Sequence, residues 1–180
     1  MFTYLIDASA LVIALLRPPQ SALFAARKRM LKLLALKQGR KGPAIYVPNF
    51  CLAECSKALA NLTLVGGSER AKRNYHEHVE LMLDMVSSKR RGMVQTYKLK
   101  RAHLVDIEDV FKADHALSDR DESRLSGLDG LVIAMGRALE RSHGKTIIVT
   151  NDKRLATVCA ANAPAFPQAV YIKEQEIPGT

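Results

Sequence analysis

Apolar residues along this chain follow two rhythms. Short, nearly unbroken apolar runs at residues 4–6, 44–47, 93–99, 146–149 and 169–172 predict strands, the third of them by alternation rather than continuity. Between them apolar positions recur at helical spacing. This predicts helices from about Ala10 and over 21–38, 49–62, 69–89, 103–117, 128–141 and 153–161. Pro18-Pro19, Gly39 to Pro43 and Val65-Gly66-Gly67 are the clear breaks. Ser21, Ser68, Ser126 and Asn151 stand where N-caps are expected. Leu31 and Ala35 recur at helical spacing, Leu62 belongs to a buried stripe, Leu83 is expected to turn inward, and Leu104 and Leu117 are among the apolar positions of their helix.

Strands that alternate with helices imply a parallel sheet with right-handed crossovers and helices on both faces. The expectation is an α/β fold with about four to five parallel strands, in a single domain over 1–180. The stretch 61–91 is the most dispensable, an insertion or an extended helical arm.

Composition narrows the function classes. Apolar residues make up 48% and charged residues 25%, an ordinary globular balance. The formal net charge of +9 favours a polyanionic partner, nucleic acid or an acidic protein. The three cysteines, Cys51, Cys55 and Cys159, contain no CxxC pair, which argues against a disulfide framework and a structural zinc site. The N-terminus has no basic region before its apolar run, and Asp7 interrupts that run. Neither a signal peptide nor a membrane span is expected, and the cytoplasm is the expected location.

Four acidic residues carry the candidate chemistry. Asp7 and Asp152 follow apolar runs, so both fall at the carboxyl edge of the predicted sheet, where open α/β folds bind ligands. Glu54 lies one turn into the helix after another strand, at the edge of its apolar stripe, and Asp129 opens a strongly apolar helix. Each has a local alternative. Asp7 can cap the helix it precedes, Ser126 and Asp129 have capping-box spacing, Asp152 suits a helix dipole, and Glu54 can be a solvated flank. If the four converge, repulsion is serious: two like charges at ~4 Å cost about 4 kcal/mol at an effective dielectric near 20. Such a cluster requires cations or displaced pKa values. All-oxygen ligation suits Mg²⁺ or Mn²⁺. Such an ion would activate water and offset charge on a phosphodiester. Ser9, Thr150 and Asn151 could orient the water or a phosphate.

These stretches resemble the PIN-domain motifs, in family order: Leu5-Ile6-Asp7-Ala8-Ser9-Ala10-Leu11, Val47-Pro48 leading to Glu54, Leu125 through Ala134, and Val149-Thr150-Asn151-Asp152. The resemblance spans nearly the whole chain. It implies a three-layer α/β/α fold and a metal-dependent endoribonuclease. Asp7, Glu54, Asp129 and Asp152 would bind the metal, and Ser9 and Thr150 would assist. Small stand-alone members are often VapC-type toxins, so an antitoxin partner and a homodimer are also implied. Gly130 stands where alanine is more usual, and the chain is longer than the compact toxins, chiefly over 61–91.

Basic residues Arg27, Lys28 and Lys32, with Arg90 and Arg91 further on, could hold an RNA backbone; solvated helix faces are the alternative, and the overall charge favours a nucleic-acid or acidic partner. His76-Glu77-His78 has the wrong spacing for a metal site on one helix face. The charged loop 118–122 could line the mouth of the acidic site. Two rival classes are a non-catalytic RNA-binding or scaffolding PIN domain and a metal-dependent phosphatase. A phosphatase with an aspartyl nucleophile would want a second Asp at position 9, which is Ser. A dinucleotide-binding fold would want G-x-G-x-x-G after the first strand, which is absent.

Overall fold

The computed structural model describes residues 2–16, 21–38, 42–64, 67–86, 93–117 and 124–180. Strand β1 (Thr3–Ile6) is buried along its whole length, as a central strand covered on both faces must be. Its neighbours are β2 (Ala44–Pro48) on one side and β4 (Thr146–Thr150) on the other. Outside these lie β3 (Gln95–Tyr97) and β5 (Gln168–Tyr171), so the sheet is parallel throughout with order β3-β2-β1-β4-β5.

The helices are α1 (Ala8–Leu15), α2 (Ser21–Ala35) with a 3-10 turn at Leu36–Gln38, α3 (Asn49–Thr63), α4 (Glu69–Val86), α5 (Arg101–Leu117), α6 (Gly127–His143) and α7 (Lys153–Ala161). Helices α1 to α4 pack on one another, and α5 to α7 form a second group. This is the expected three-layer α/β/α arrangement. Among the described residues, no helix is long and apolar enough to cross a membrane.

One apolar core joins the sheet to both layers, and it includes Met82, Met85 and Val86 from the C-terminal half of α4. Helix α6 presses close against β4. A Cβ on Gly136 would stand 2.8 Å from Ile148 Cδ1. The glycine is there for close approach, not for a turn.

Local differences from the sequence expectation have local causes. The third strand shortens to three residues because Leu99 N–H leaves the ladder for Asn49 Oδ1, and His103 Nδ1 then accepts from Lys100 N–H at the start of α5. Asp152, not Asn151, is the N-cap of α7: its side chain accepts from Leu155 N–H. Ser21 is the first residue within α2, whereas Ser68 does cap α4 through Ala71 N–H at 3.2 Å. Leu31, Ala35, Leu62, Leu83, Leu104 and Leu117 face outward. Their helices are covered along a narrower stripe than the apolar pattern suggests, and Leu33, Met85, His103 and Asp114 are buried instead. All three cysteines are free and buried. The predicted features at Pro18-Pro19, Gly39 to Lys41, Val65-Gly66, Arg90, Arg91 and the loop 118–122 lie outside the described residues.

Candidate active site

The chain leaves β1 toward β2 and β3, then returns on the opposite side of β1 to form β4. Strands β1 and β4 therefore flank the switch point of the sheet, and the loops at their carboxyl ends border a crevice. Ile6 pairs with Val149, and Asp7 N–H donates to Val149 O at 3.0 Å, so Asp7 sits directly beside the end of β4.

Asp7 is only 4% exposed. Its Oδ1 accepts from Ala8 N–H at 2.7 Å, which caps α1, and from the Cys51 thiol at 3.9 Å. Its Oδ2 accepts from the hydroxyls of Ser9 at 2.6 Å and Thr150 at 2.9 Å. Ser9 Oγ in turn accepts from Asn151 N–H, and Thr150 Oγ1 from Asp152 N–H. Both hydroxyls hold Asp7 and zip the loop after β1 to the loop after β4. Burial pushes the Asp7 carboxyl above the usual carboxylate range and the charge of Asp129 adds to this, while the hydrogen bonds from Ser9, Thr150 and Ala8 pull it back.

Glu54 reaches the same crevice from α3 and is half-buried. Burial raises its pKa, and the charges of Asp7 and Asp129 raise it further. The Cys51 thiol and the nearby Lys57 oppose them. Burial also pushes the Cys51 thiol far up, so it stays a protonated donor between two carboxylates. The apolar pattern of α3 marks Cys51 as core, and nothing in that pattern signals this contact.

Asp129 arrives on the first turn of α6. Its Oδ2 accepts from Ser126 N–H and Oγ while Ser126 Oγ accepts from Asp129 N–H, so the expected capping box is present. Gly130 lets α5 close over this end of α6: a Cβ there would meet Ile107 and Phe111 side chains at 3.1 Å.

The structure thus places Asp7, Glu54 and Asp129 within electrostatic reach of one another from three separate elements. Asp152 stands one hydrogen-bonded step away through Thr150, and it is not among the charges acting on Asp7 or Glu54. Among the described residues, no group of three or more His, Cys, Asp or Glu side chains is gathered tightly enough to hold a metal ion. Nor does any Lys, Arg or His among them form an ion pair with Asp7, Glu54 or Asp129. Asn151 Oδ1 is shielded from solvent and lacks a hydrogen-bond partner.

The basic candidates on α2 lie apart from the acids. Lys28 and Lys32 are exposed and, with Arg29, act on Glu176 near the C-terminus. Arg27 is half-buried with an unpartnered Nε. His76-Glu77-His78 lies on α4, and among the described residues no metal-holding group includes it.

The raised carboxyls have a stability consequence. A raised pKa in the folded state means that folding binds protons between the unfolded and folded pKa values, so stability falls as pH rises through that window. With divalent ions chelated, unfolding free energy is expected to fall with increasing pH just above the ordinary carboxylate range. Glu54→Gln is expected to flatten that dependence and to raise the melting temperature near pH 7. Thermal scans of both proteins in EDTA from about pH 4 to pH 8 measure it; an equal or steeper pH dependence in the variant would contradict it.

No family model matches the sequence, and no curated protein does. Among solved structures, the chain is similar to one in VapBC2 from Rickettsia felis, a complex crystallised with a DNA fragment from its promoter. The TM-score is 0.57, with 94% of this chain and 98% of that chain covered, at 12% sequence identity. At that identity the likeness is one of fold: this chain has the PIN-like α/β/α architecture that its motifs imply.

Proposed function

We propose that this chain is a Mg²⁺- or Mn²⁺-dependent endoribonuclease and the toxin of a toxin–antitoxin pair. The observation that carries the proposal is the meeting of Asp7, Glu54 and Asp129 at the switch point of the sheet, without a paired cation among the described residues. Asp129 raises the proton affinity of Asp7, and both raise that of Glu54; such an arrangement is costly unless a cation joins it. Their oxygens fit a hard divalent ion.

In this reading Asp7, Glu54 and Asp129 hold the ion, with Asp152 beside them. Glu54 and Asp129, both half-buried, would complete with the buried Asp7 the oxygen donors for the ion. When bound, the ion lowers the pKa of a water and offsets charge on the phosphate. Ser9 and Thr150 orient Asp7 and partly offset the effect of its burial, and Cys51 packs behind it. The fold shared with a chain of a VapBC complex supports an antitoxin partner. A homodimer and a cytoplasmic location belong to the same reading.

The test is a cleavage assay of the purified protein on total RNA and on a set of structured RNAs, with Mg²⁺ or Mn²⁺, with EDTA, and as Asp129→Asn. Asparagine keeps an acceptor for Ser126, so the capping box and the fold should survive. Discrete products that need the metal and vanish in the variant are expected. RNA binding without cleavage in either metal would favour the scaffolding reading.

A further inference from the structure

The first turn of α5 is closed by a histidine. In a capping box the third helical residue, ordinarily Glu or Gln, accepts from the backbone N–H of the cap. In α5, which begins at Arg101, Lys100 stands at the cap and His103 is that third residue. His103 Nδ1 accepts from Lys100 N–H at 3.0 Å, and His103 N–H donates to Lys100 O at 3.0 Å. An imidazole accepts at Nδ1 only while that nitrogen is unprotonated. The neutral ring therefore carries its proton on Nε2, which faces Tyr97 Oη of β3 at 3.5 Å. His103 is 1% exposed, so water cannot replace a partner that is lost. The capping box of α6 uses a carboxylate, Asp129, at the same position.

The surroundings oppose a positive ring. Lys98, Lys100 and Arg101 are exposed at the positive end of the helix dipole, and the first turn of α5 holds no acid. Burial and the charge of Lys100 push the ring below the ordinary histidine pKa, and Arg141 of α6 adds to this. Asp106 of α5 opposes them, but it is ion-paired with Arg141. Behind Tyr97 stands Tyr46 of β2, and beyond it the exposed His143 of α6, with ring centroids 5.8 Å apart in each pair. The same corner bears on the two helices that bring Glu54 and Asp129. Leu99 N–H, next to the cap, donates to Asn49 Oδ1 on the first residue of α3, and the Asp106–Arg141 pair ties α5 to α6.

We propose that His103 is an acid-sensitive latch: neutral, it locks the start of α5 to β3, and protonated, it releases residues 98–104. A proton on Nδ1 would point at Lys100 N–H, donor against donor, and its charge would join three exposed cations at the same helix end. As pH falls, the unfolded chain takes up this proton before the folded one. The stability from the latch is therefore complete above about pH 6.5 and is lost as pH drops below it. This is opposite in sign to the effect of Glu54, whose protonation favours the fold.

Hydrogen exchange of the full chain tests this, followed by mass spectrometry from about pH 7.5 to pH 5 and corrected for the intrinsic pH dependence of exchange. In the wild type, opening of peptides spanning 98–104 should increase roughly tenfold or more across that range, while β1 and β4 stay protected. His103→Gln supplies a capping-box acceptor that does not titrate, so its exchange should be flat. His143→Gln should keep the wild-type response. No acid response in the wild type, the same response in His103→Gln, or its loss in His143→Gln would overturn the proposal. If His103→Gln does not fold, ring ¹⁵N spectra of the wild type decide. A His103 ring protonated at Nε2 near neutral pH and titrating below the ordinary value of about 6.5 is expected; one protonated at Nδ1, or titrating at or above that value, overturns the latch.

Discussion

Asp7→Asn is expected to slow metal-dependent RNA cleavage by roughly 10³-fold, about 4 kcal/mol of transition-state free energy, without unfolding the protein. Asparagine keeps an oxygen for Ala8 N–H at the start of α1. Its amide nitrogen meets the hydroxyls of Ser9 and Thr150, and a hydroxyl has a second lone pair with which to accept. Both hydroxyls already accept from Asn151 N–H and Asp152 N–H, so each can turn its proton away and still bridge the two loops. What disappears is the charge, and burial together with Asp129 already disfavours that charge. In EDTA the variant should therefore be at least as stable as the wild type.

Divalent ions should then separate the two proteins. An ion at 100 times its dissociation constant stabilises the folded state by about 2.7 kcal/mol, and the variant should lose most of that gain. Single-turnover cleavage and thermal unfolding, each with Mg²⁺ and with EDTA, measure both effects on one preparation. Cleavage within tenfold of wild type would remove Asp7 from the metal-holding set. Loss of cleavage with the Mg²⁺ stabilisation intact would place the ion elsewhere.

The second large effect concerns stability. Arg154→Met is expected to cost roughly 3–5 kcal/mol, because it removes the guanidinium that compensates the buried Asp114 carboxylate. Asp114 lies on α5 with its side chain 2% exposed, and Arg154 on α7 reaches it with Nη2 at 2.7 Å and Nε at 2.8 Å. The other carboxylate oxygen accepts from Leu125 N–H, one residue before the cap of α6, and Arg154 also donates to the Asp114 carbonyl. The pair thus joins α5, α7 and the entry to α6, the helix that carries Asp129. At about 2–4 °C per kcal/mol for a chain of this size, the melting temperature should drop by roughly 6–20 °C. Adding Asp114→Asn to Arg154→Met should recover part of the loss, since the buried charge is then gone. Urea denaturation of the two variants decides it. A single-variant cost below about 1 kcal/mol would mean that water or another group solvates Asp114 once Arg154 is removed.

Neither Asp114 nor Arg154 stands out in the sequence. Asp114 sits at a polar position of an amphipathic helix, and Arg154 sits among the first residues of a short one; each is sensible as a solvated residue until the two helices pack. His103 is similar, a buried imidazole whose Nδ1 accepts from Lys100 N–H and whose neutral form is favoured by burial and by the charge of Lys100. The reverse error occurs at Leu62, Leu83 and Leu104, where an apolar residue at helical spacing ends on the exposed side. Periodicity reports which face is apolar, and only the width of the covering neighbour decides how much of that face is buried.

The local patterns of this chain were sufficient for its alternation of strands and helices, for the capping box at Ser126 and Asp129, and for the choice of Asp7 as the residue that ends a buried strand. Each depends on residues a few positions apart, where the backbone leaves little choice. Strand order was not available at that range. It decides that β1 lies beside β4, and hence that the hydroxyl of Thr150 meets the carboxylate of Asp7 across 143 positions. Tertiary packing likewise decided that Asp129 acts on Asp7 and both act on Glu54 while Asp152 is occupied as a helix cap, and that Cys51 touches a carboxylate. The physical reason is the same in each case: a side chain's role is set by the charge, hydrogen-bonding groups and solvent around it, and those are brought by elements far away in the chain.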